Sequence, residues 1–393
     1  MSIGGIDAIN LGDFLQSSYH ITFRADSCFD SPAAWIYPMD ILMDIRPLQA
    51  KDYESLTNHL NPWNYQKKGV AYFEWLARLN PSENISMAAI ADDRVVGYYG
   101  TIPVPFKIGD RTVIVYRGGV FIHPDHRKRK DNILNALVSA VERESKKRNA
   151  VVCGFPIPKL AKYLEKNFGA ASLKPISHYI FILKIGPSIE SIFKNVRISR
   201  ILARVLQPLW NLWIHRDTEK DLPGIKIVPI HSFDKSFDLL WEKASLARSI
   251  LSMRNAEYLN WRYLEEPGQR YTIFAAKNER EVLGYVILKD PGSSQEKKGQ
   301  VIDLFDTRDP AVTKRLLDQA MNYFKAKGAA CVECYLSDDF YEKTLRSIGF
   351  YKLRPRPERS EFLVAKLYSP DIQDKVFYDP RSWFLTRTDM LFA

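Results

Sequence analysis

The chain has 393 residues, of which 46% are hydrophobic, and it carries a formal net charge of +10. Its length predicts two or three compact units, and no run approaches the ~20 apolar residues that a membrane-spanning helix needs. Residues 1–16 lack a basic run before an apolar core, which argues against a secretory signal and favours a cytoplasmic location. The positive charge favours anionic partners, among them nucleic acids, anionic lipid and the phosphates of a nucleotide cofactor.

The four cysteines favour a reducing compartment, because they are too few and too scattered for a disulfide framework. Cys331 and Cys334 form a CxxC pair, but residues 329–336 have the pattern of a buried strand. Side chains three positions apart on a strand point to opposite faces. No second pair of Cys or His lies nearby, so no metal site is predicted.

The predicted elements begin after an N-terminal segment over residues 1–42, and residues 43–185 form the first predicted domain. Pro47 ends a short strand there, and Asp52 opens a helix. Apolar patterning then predicts strands over 87–91, 95–99 and 113–122, a helix over 133–148, a strand over 150–155 and a helix over 159–166.

Residues 186–222 are predicted to be a basic amphipathic helical linker. Within residues 189–216, cations such as Arg197 and Arg204 alternate with Trp, Leu and Ile. One interpretation is an interdomain helix packed on one domain, which we favour. The other is contact with a membrane surface, since interfacial helices combine Trp, Leu and Arg with few acidic residues.

Residues 223–370 repeat the first domain, and residues 371–393 form a C-terminal tail. Trp261 follows Trp75 by 186 residues, each with a tyrosine three residues earlier and a proline six residues later. The repeat predicts a domain duplication whose element order gives an α/β (α+β) fold with mixed sheets. The matching elements of the second half are strands over 272–276, 282–287, 300–305 and 330–336 and helices over 311–327 and 338–346.

The segment from Val120 to Leu134 reads VFIHPDHRKRKDNIL. It resembles the acetyl-CoA motif of the GCN5-related N-acetyltransferase (GNAT) family, in which a strand ending in hydrophobic-His-Pro-Asp turns through Arg-x-x-Gly-x-Gly/Ala into a helix. The resemblance in element order covers both halves, whereas the motif occurs once. It implies two tandem GNAT-like acyl-CoA acyltransferase domains joined by the helical linker, with acetyl-CoA or another acyl-CoA as cosubstrate.

An anion site at this place also has a physical basis. A tight loop entering a helix leaves backbone N–H groups facing outward, and the helix dipole adds partial positive charge. The resemblance implies that backbone groups of Phe121, Ile122 and His123 hold the pantetheine arm. The residues that it implies for the pyrophosphate are Arg127, Lys128, Arg129, Lys130, Asp131 and Asn132.

The motif departs from the family pattern because Lys130 and Asn132 replace the usual glycines, which serve where backbone must approach a ligand closely. Either the side chains point away and leave the amides free, or they block the phosphate and the lysines are a solvated basic face. The retained His-Pro-Asp-x-Arg sequence and the cationic character of the replacements favour binding.

The second half has no such motif. Its corresponding stretch, residues 305–311, carries acids that repel phosphate, so we predict that it is not a cofactor site. It would instead wall off an acceptor cleft or hold an oligomer together. Residues 258–267 and 383–389 resemble, more loosely, segments of tandem-domain acyltransferases found near bacterial polysaccharide-assembly functions.

Acyl transfer to an amine needs a proton donor for the leaving thiolate and a base for the amine. The resemblance implies a tyrosine acid on the fourth helix, where Tyr163 lies at or one residue from the usual place. Leu164 is the alternative occupant, and Tyr163 as a packing residue stays open. His123, Asp125 or a water chain are the candidate bases, although the family position of His123 is ordinarily structural. Tyr98, Tyr99 and Tyr116 are candidate acceptor-cleft or core residues.

These observations predict an N-acyltransferase that moves an acyl group, acetyl in the first instance, to an amine on a small molecule. An amino sugar in polysaccharide assembly is suggested by family analogy alone. The alternatives are a noncatalytic scaffold built on two GNAT folds and a protein attached peripherally to the inner membrane face through residues 189–216. Nucleic-acid binding is not expected, because the basic run is short and lacks stacking aromatics.

Overall fold

The computed structural model describes residues 43–60, 68–79, 84–127, 132–186, 201–202, 204–208, 210, 224–291, 297–355 and 362–390. The predicted N-terminal segment 1–42 and much of the linker lie outside the described residues.

The first half follows the predicted order of elements. Its amphipathic helices bury one face each, and the last of them ends at Gly169, whose φ of 62° is the left-handed conformation that closes a helix. The elements are β1 (Asp44–Pro47), a short irregular helix α1 over residues 50–60, α2 (Val70–Arg78), β2 (Met87–Ala91), β3 (Arg94–Ile108), β4 (Arg111–Ile122), α3 (Ile133–Lys147), β5 (Val151–Gly154), α4 (Pro158–Phe168), β6 (Ala171–Pro175) and β7 (His178–Ile182).

The second half repeats this order with one additional short strand, β9. Side chains of Asp234 and Asn255 cap the first two helices by accepting from backbone N–H groups. The elements are β8 (Lys226–Pro229), α5 (Lys235–Ser245), β9 (Ile250–Ser252), α6 (Ala256–Tyr263), β10 (Tyr271–Lys277), β11 (Val282–Lys289), β12 (Lys298–Asp306), α7 (Pro310–Ala326), β13 (Cys331–Tyr335), α8 (Asp339–Ile348), β14 (Tyr351–Lys352) and β15 (Phe362–Leu367), followed by single helical turns at Asp374–Phe377, Pro380–Ser382 and Arg387–Met390.

The strands form two mixed sheets. The first has the order β1-β2-β3-β4-β5-β15-β6, with β9 paired to β3, and the second has the order β14-β7-β13-β12-β11-β10-β8. In each sheet one parallel pair, β4 with β5 or β12 with β13, stands among antiparallel neighbours. The predicted mixed α/β class with two sheets is confirmed.

Each half gives one strand to the sheet of the other. Strand β7 pairs with β13 in the second sheet, and β15 pairs with β5 and β6 in the first. The predicted boundaries at 185/186 and 370/371 remain predictions, because a sheet here is not a contiguous stretch of sequence. Folding of either sheet therefore requires both halves.

A symmetric contact joins the helices α2 and α6. The rings of Trp75 and Trp261 stack with centroids 4.4 Å apart. The indole N–H of Trp75 donates to the carbonyl of Trp261 at 2.9 Å, and that of Trp261 donates back to the carbonyl of Trp75 at 3.2 Å. The two tryptophans that the sequence repeat matched thus meet in a reciprocal contact.

The described part of the linker packs on the second sheet. Trp210 donates its indole N–H to the carbonyl of Ile182, and Gln207 bonds the backbone of Leu183 and Ile185. The interdomain helix that we favoured and the contact of residues 189–216 with a membrane surface both stay predictions. Among the described residues, no helix is both long and apolar enough to cross a bilayer.

Candidate active site

The ladder between β4 and β5 is short, and β4 extends beyond its end. Only Val115–Arg117 pairs with Val151–Cys153, while β4 continues to Ile122 along its antiparallel partner β3. At the end of the ladder the backbone carbonyl of Gly118 lies so close to Gly154 that a Cβ there would meet it at 2.4 Å. The lack of a side chain at Gly154 permits this close approach, and beyond it a stretch of β4 extends past β5.

His123 follows directly on β4 and is buried, with 5% of its surface exposed. Its backbone N–H donates to the carbonyl of Val96 at 2.9 Å, which continues the β3–β4 pairing. Its Nδ1 accepts from the backbone N–H of Asp125 at 3.3 Å, and its ring stacks on His59 with centroids 4.6 Å apart. These contacts fix the start of the turn Pro124–Arg127, and they suit a positioning role better than a catalytic one.

In the part of the chain that the structure describes, no side chain caps the start of α3. Asn132, its N-cap, has φ 50° and ψ 29°, the left-handed conformation that glycine and asparagine adopt most readily, and its side chain makes no capping bond. Asparagine therefore provides the backbone geometry that glycine would provide at this position. The first turn of α3 contains no acidic residue. The side chain of Arg127 and all of Lys128, Arg129, Lys130 and Asp131 lie outside the described residues.

At the corresponding start of α7 in the second half, carboxylates accept hydrogen bonds from the backbone N–H groups and so close this end of the helix to a ligand. Asp309 caps the helix by accepting from the backbone N–H of Ala311 at 2.8 Å. Asp306 accepts from the backbone N–H of Arg308 and the hydroxyl of Thr313, both at 2.7 Å, and from the Tyr341 hydroxyl at 3.1 Å. The N–H groups that would bind a phosphate are thus bound to the chain's own acids.

The buried Asp306 carboxylate at the start of α7 predicts that the stability of the folded chain depends on pH in the acidic range. Burial raises the pKa of Asp306 to about 6, against the opposing effects of its hydrogen bonds and of Arg248. Between its ordinary value near 4 and about 6, the folded state holds more protons than the unfolded state, so stability falls as pH rises through this window. We expect the free energy of unfolding of Asp306→Asn to fall by about 3 kcal/mol less than that of wild type as pH rises through this window.

Urea unfolding at pH 4 and pH 7 measures the effect. The exposed Asp371→Asn serves as the matched control and should keep the wild-type difference between the two pH values. An Asp306→Asn variant whose free energy of unfolding falls by as much as that of wild type would contradict the assignment.

Tyr163 lies on α4 and is half-buried. Its ring contacts Phe168 at a centroid distance of 6.0 Å, and within the described residues its hydroxyl makes no hydrogen bond. Leu164, the alternative occupant of the acid position, packs into the core between α3 and the first sheet. Of the two, Tyr163 is the one with a polar group available, and its role as acid stays a prediction.

The candidate acceptor-cleft tyrosines lie in the core, whereas the candidate base Asp125 is exposed, with 79% of its side chain accessible. Tyr98, Tyr99 and Tyr116 are 9% exposed or less, and burial raises the pKa of Tyr99 to about 12. Cys331 and Cys334 are buried and form no disulfide, and they belong to different core clusters, as expected for opposite faces of a strand.

A buried ionic cluster of Arg117, Arg254, Asp303 and Asp389 joins the two sheets. Each of the four is 2% exposed or less. Arg254 pairs with Asp303 at 3.1 Å and with Asp389 at 3.2 Å, and Arg117 lies 3.6 Å from Asp389. Arg117 also donates to the carbonyl of Thr388 at 3.1 Å. Arg117 is the last β4 residue in the ladder with β5. Its contacts with Thr388 and Asp389 therefore place the C-terminal tail at the end of this ladder, where β4 extends past β5.

Comparison with known proteins gives the fold. No protein-family model and no curated protein match the chain. A GCN5-related N-acetyltransferase from Kribbella flavida matches with a TM-score of 0.53 and 14% identity, over 83% of this chain and 71% of that one. The fold is that of the GNAT acyltransferases.

Two further solved structures support this assignment of the GNAT fold. N-myristoyltransferase from Saccharomyces cerevisiae, with bound myristoyl-CoA and inhibitors, has a TM-score of 0.52 and 10% identity over 84% of this chain and 81% of that one. A conserved protein of Enterococcus faecalis V583, described as a probable N-acyltransferase, has a TM-score of 0.52 and 12% identity over 83% and 73%. At these identities the likeness concerns the GNAT fold alone.

Sequence reasoning missed the buried ionic cluster around the GNAT-fold β4 strand. The available signal was Arg117, a charged residue inside an otherwise apolar strand pattern, and an unexplained charge in a strand calls for a partner. Nothing in the local sequence identifies Asp389 as that partner, because 272 residues separate the two.

Proposed function

We propose that the chain is an acyl-CoA-dependent N-acyltransferase whose first half binds the cofactor and whose acceptor is an amine on a small molecule. The observation that supports it best is the contrast between the two halves. Among the described residues, the start of α3 has a left-handed Asn132 and no acidic or capping side chain, whereas the start of α7 is closed by Asp306 and Asp309.

In this proposal the pyrophosphate lies at the start of α3, near Lys128 and Lys130, and the pantetheine runs along Phe121, Ile122 and His123. Helix N-termini and cationic side chains favour that placement. The acyl thioester would then lie where β4 passes the end of β5. Acetyl-CoA is the simplest donor, and the fold is also shared with an enzyme crystallised with myristoyl-CoA, so longer chains belong in the test.

The proposed chemistry is direct transfer. The neutral amine attacks the thioester carbonyl, the tetrahedral intermediate expels the thiolate, and the Tyr163 hydroxyl gives that thiolate a proton. The amine loses its proton to water, which returns a proton to Tyr163. His123 orients the turn that follows β4 through its bond with the Asp125 N–H.

Calorimetric titration of acetyl-CoA, myristoyl-CoA and CoA tests the cofactor site. Saturable binding is expected, with affinity at least about 100-fold (about 2.7 kcal/mol) weaker in Lys128→Glu/Lys130→Glu, because two favourable charges become repulsive. Lys226→Glu/Lys277→Glu is the matched control, since these lysines are paired positions on β8 and β10 of the second sheet.

Absence of binding by all three ligands would leave the noncatalytic scaffold as the better description. If binding is seen, Tyr163→Phe should keep the affinity and lose turnover with a panel of amines. Equal turnover in Tyr163→Phe would remove the proposed acid.

A further inference from the structure

A row of polar side chains crosses the middle of the second sheet. Tyr271 on β10 pairs directly with Lys289 on β11, Lys289 with Gln300 on β12, and Gln300 with Glu333 on β13. Directly paired residues project from the same face of a sheet. These four residues, which we call the polar row, therefore share one face, and that face carries His178 and Tyr335 in the next row.

The fold does not require polar residues there. The corresponding row of the first sheet consists of Ile102 on β3, Arg117 on β4, Cys153 on β5 and Ala365 on β15. Its one charge, Arg117, is matched by Asp389 and by the carbonyl of Thr388. Equivalent positions in the two sheets thus differ in polarity, and the difference needs a reason other than architecture.

The polar row is incompletely satisfied within the described residues. Lys289 is half-buried, and its side chain makes no hydrogen bond or ion pair there. Glu333 is buried, and its shortest polar contact is 3.4 Å, to Gln300. The Nε2 atom of His178 is buried without a partner, 3.9 Å from Glu333. Buried polar atoms without partners are costly, and water, an ion or a ligand ordinarily accounts for them.

The charge around the polar row is positive. Lys68 and Arg262 flank Glu266 at one end, and Lys298 lies 3.9 Å from Glu333 at the other. Burial lowers the pKa of Lys289; the charge of Glu266 opposes this effect, and the charges of Arg262 and Arg387 add to it. Burial, with Arg387 and Lys298, also lowers the pKa of His178 to about 3, so this imidazole is neutral near pH 7. The surrounding cations are Lys68, Arg262, Lys289, Lys298 and Arg387, and the carboxylates are Glu266 and Glu333.

The C-terminal turn Arg387–Met390 lies between the polar row and the proposed transfer site. Arg387 sits over the ring of Tyr335 at 4.6 Å, beside the row, whereas Asp389 contacts Arg117 on β4. One helical turn is ~10 Å across with its side chains. A small molecule bound at the polar row is therefore within reach of the place where β4 extends past the end of β5.

We propose that the polar row binds an anionic group, a phosphate or a carboxylate, on the amine acceptor. The binding of an anion is inferred from the polar row alone, whereas the assignment of that anion to the acceptor rests on the proposed function. In this arrangement Lys289 provides the charge, the Gln300 amide donates a hydrogen bond, and the amine extends toward β4; the Tyr271 hydroxyl is already bound to Glu266 at 2.8 Å. Localised positive charge attracts anionic ligands in this way.

Calorimetric titration of inorganic phosphate and of acetate tests the site, in the Lys128→Glu/Lys130→Glu background so that the loop before α3 does not contribute. We expect saturable binding of at least one anion, and the stronger of the two identifies the group. Lys289→Met should weaken that binding at least about tenfold, which is about 1.4 kcal/mol. Lys226→Met, an exposed lysine on the edge strand β8, should leave it unchanged.

Thermal unfolding separates loss of a site from loss of structure. Removing a half-buried lysine without a partner should leave the melting temperature unchanged or raise it. No saturable binding of either anion, or equal binding in Lys289→Met, would overturn the proposal. In a turnover assay the bound anion should compete with the amine and not with acyl-CoA. Anion binding without that competition would reject only the assignment of the anion to the acceptor. If acyl-CoA does not bind, the proposed function fails, but the anion titration still tests the polar row.

Discussion

Replacing Arg254 by methionine should destabilise the folded chain by about 3–5 kcal/mol, because it leaves buried carboxylates without their cation. Arg254 pairs with Asp303 and Asp389, and it also donates to the carbonyl of Ser252 at 2.9 Å. Burial opposes the charge of Arg254, but attraction to the two aspartates outweighs it and raises its pKa well above the ordinary value.

Urea unfolding of wild type, Arg254→Met and the exposed control Arg280→Met measures this effect. The control should stay within about 0.5 kcal/mol of wild type. Arg254→Met/Asp303→Asn should recover part of the loss, since it restores charge balance in the cluster. A loss below about 1 kcal/mol in Arg254→Met would mean that the cluster is solvated in solution and does not join the sheets as described.

Trp75→Ala and Trp261→Ala should each cost about 3–5 kcal/mol, as expected for emptying a buried tryptophan site. The rings are 2% and 5% exposed, and each indole donates to the backbone carbonyl of the other. Removing either ring therefore creates a cavity and also leaves the second indole without its stacking partner. The repeated helices α2 and α6 would lose their shared contact.

A double-mutant cycle tests the reciprocity. We expect Trp75→Ala/Trp261→Ala to cost less than the sum of the single variants by about 1 kcal/mol or more, since the second substitution removes an interaction already lost. The pair Trp75→Ala/Trp241→Ala is the matched comparison and should be additive, because Trp241 stacks on Phe305 in α5–β12 packing. Additive losses for Trp75 and Trp261 would contradict the contact.

Several features of the site could be predicted because they depend on local sequence. The strand–turn–helix from β4 to α3 follows from apolar patterning and from the motif around His123, and the structure places both ends of that turn as expected. The effect of replacing glycine by Asn132 could not be settled in advance, because it depends on the backbone angle that the residue adopts. That angle is left-handed, which asparagine tolerates.

By itself, the sequence determined the order of elements, the repetition of that order in the second half and the mixed sheets, because hydrophobic period and turn residues act over a few positions. Tertiary structure alone decided the exchange of β7 and β15, the pairing of Arg117 with Asp389, and the alignment of Lys289 with Gln300 and Glu333. Each of these depends on strand register or on contacts between residues far apart in the chain. A one-residue change of register would move the polar row to the other face of the sheet, and local propensity does not encode that choice.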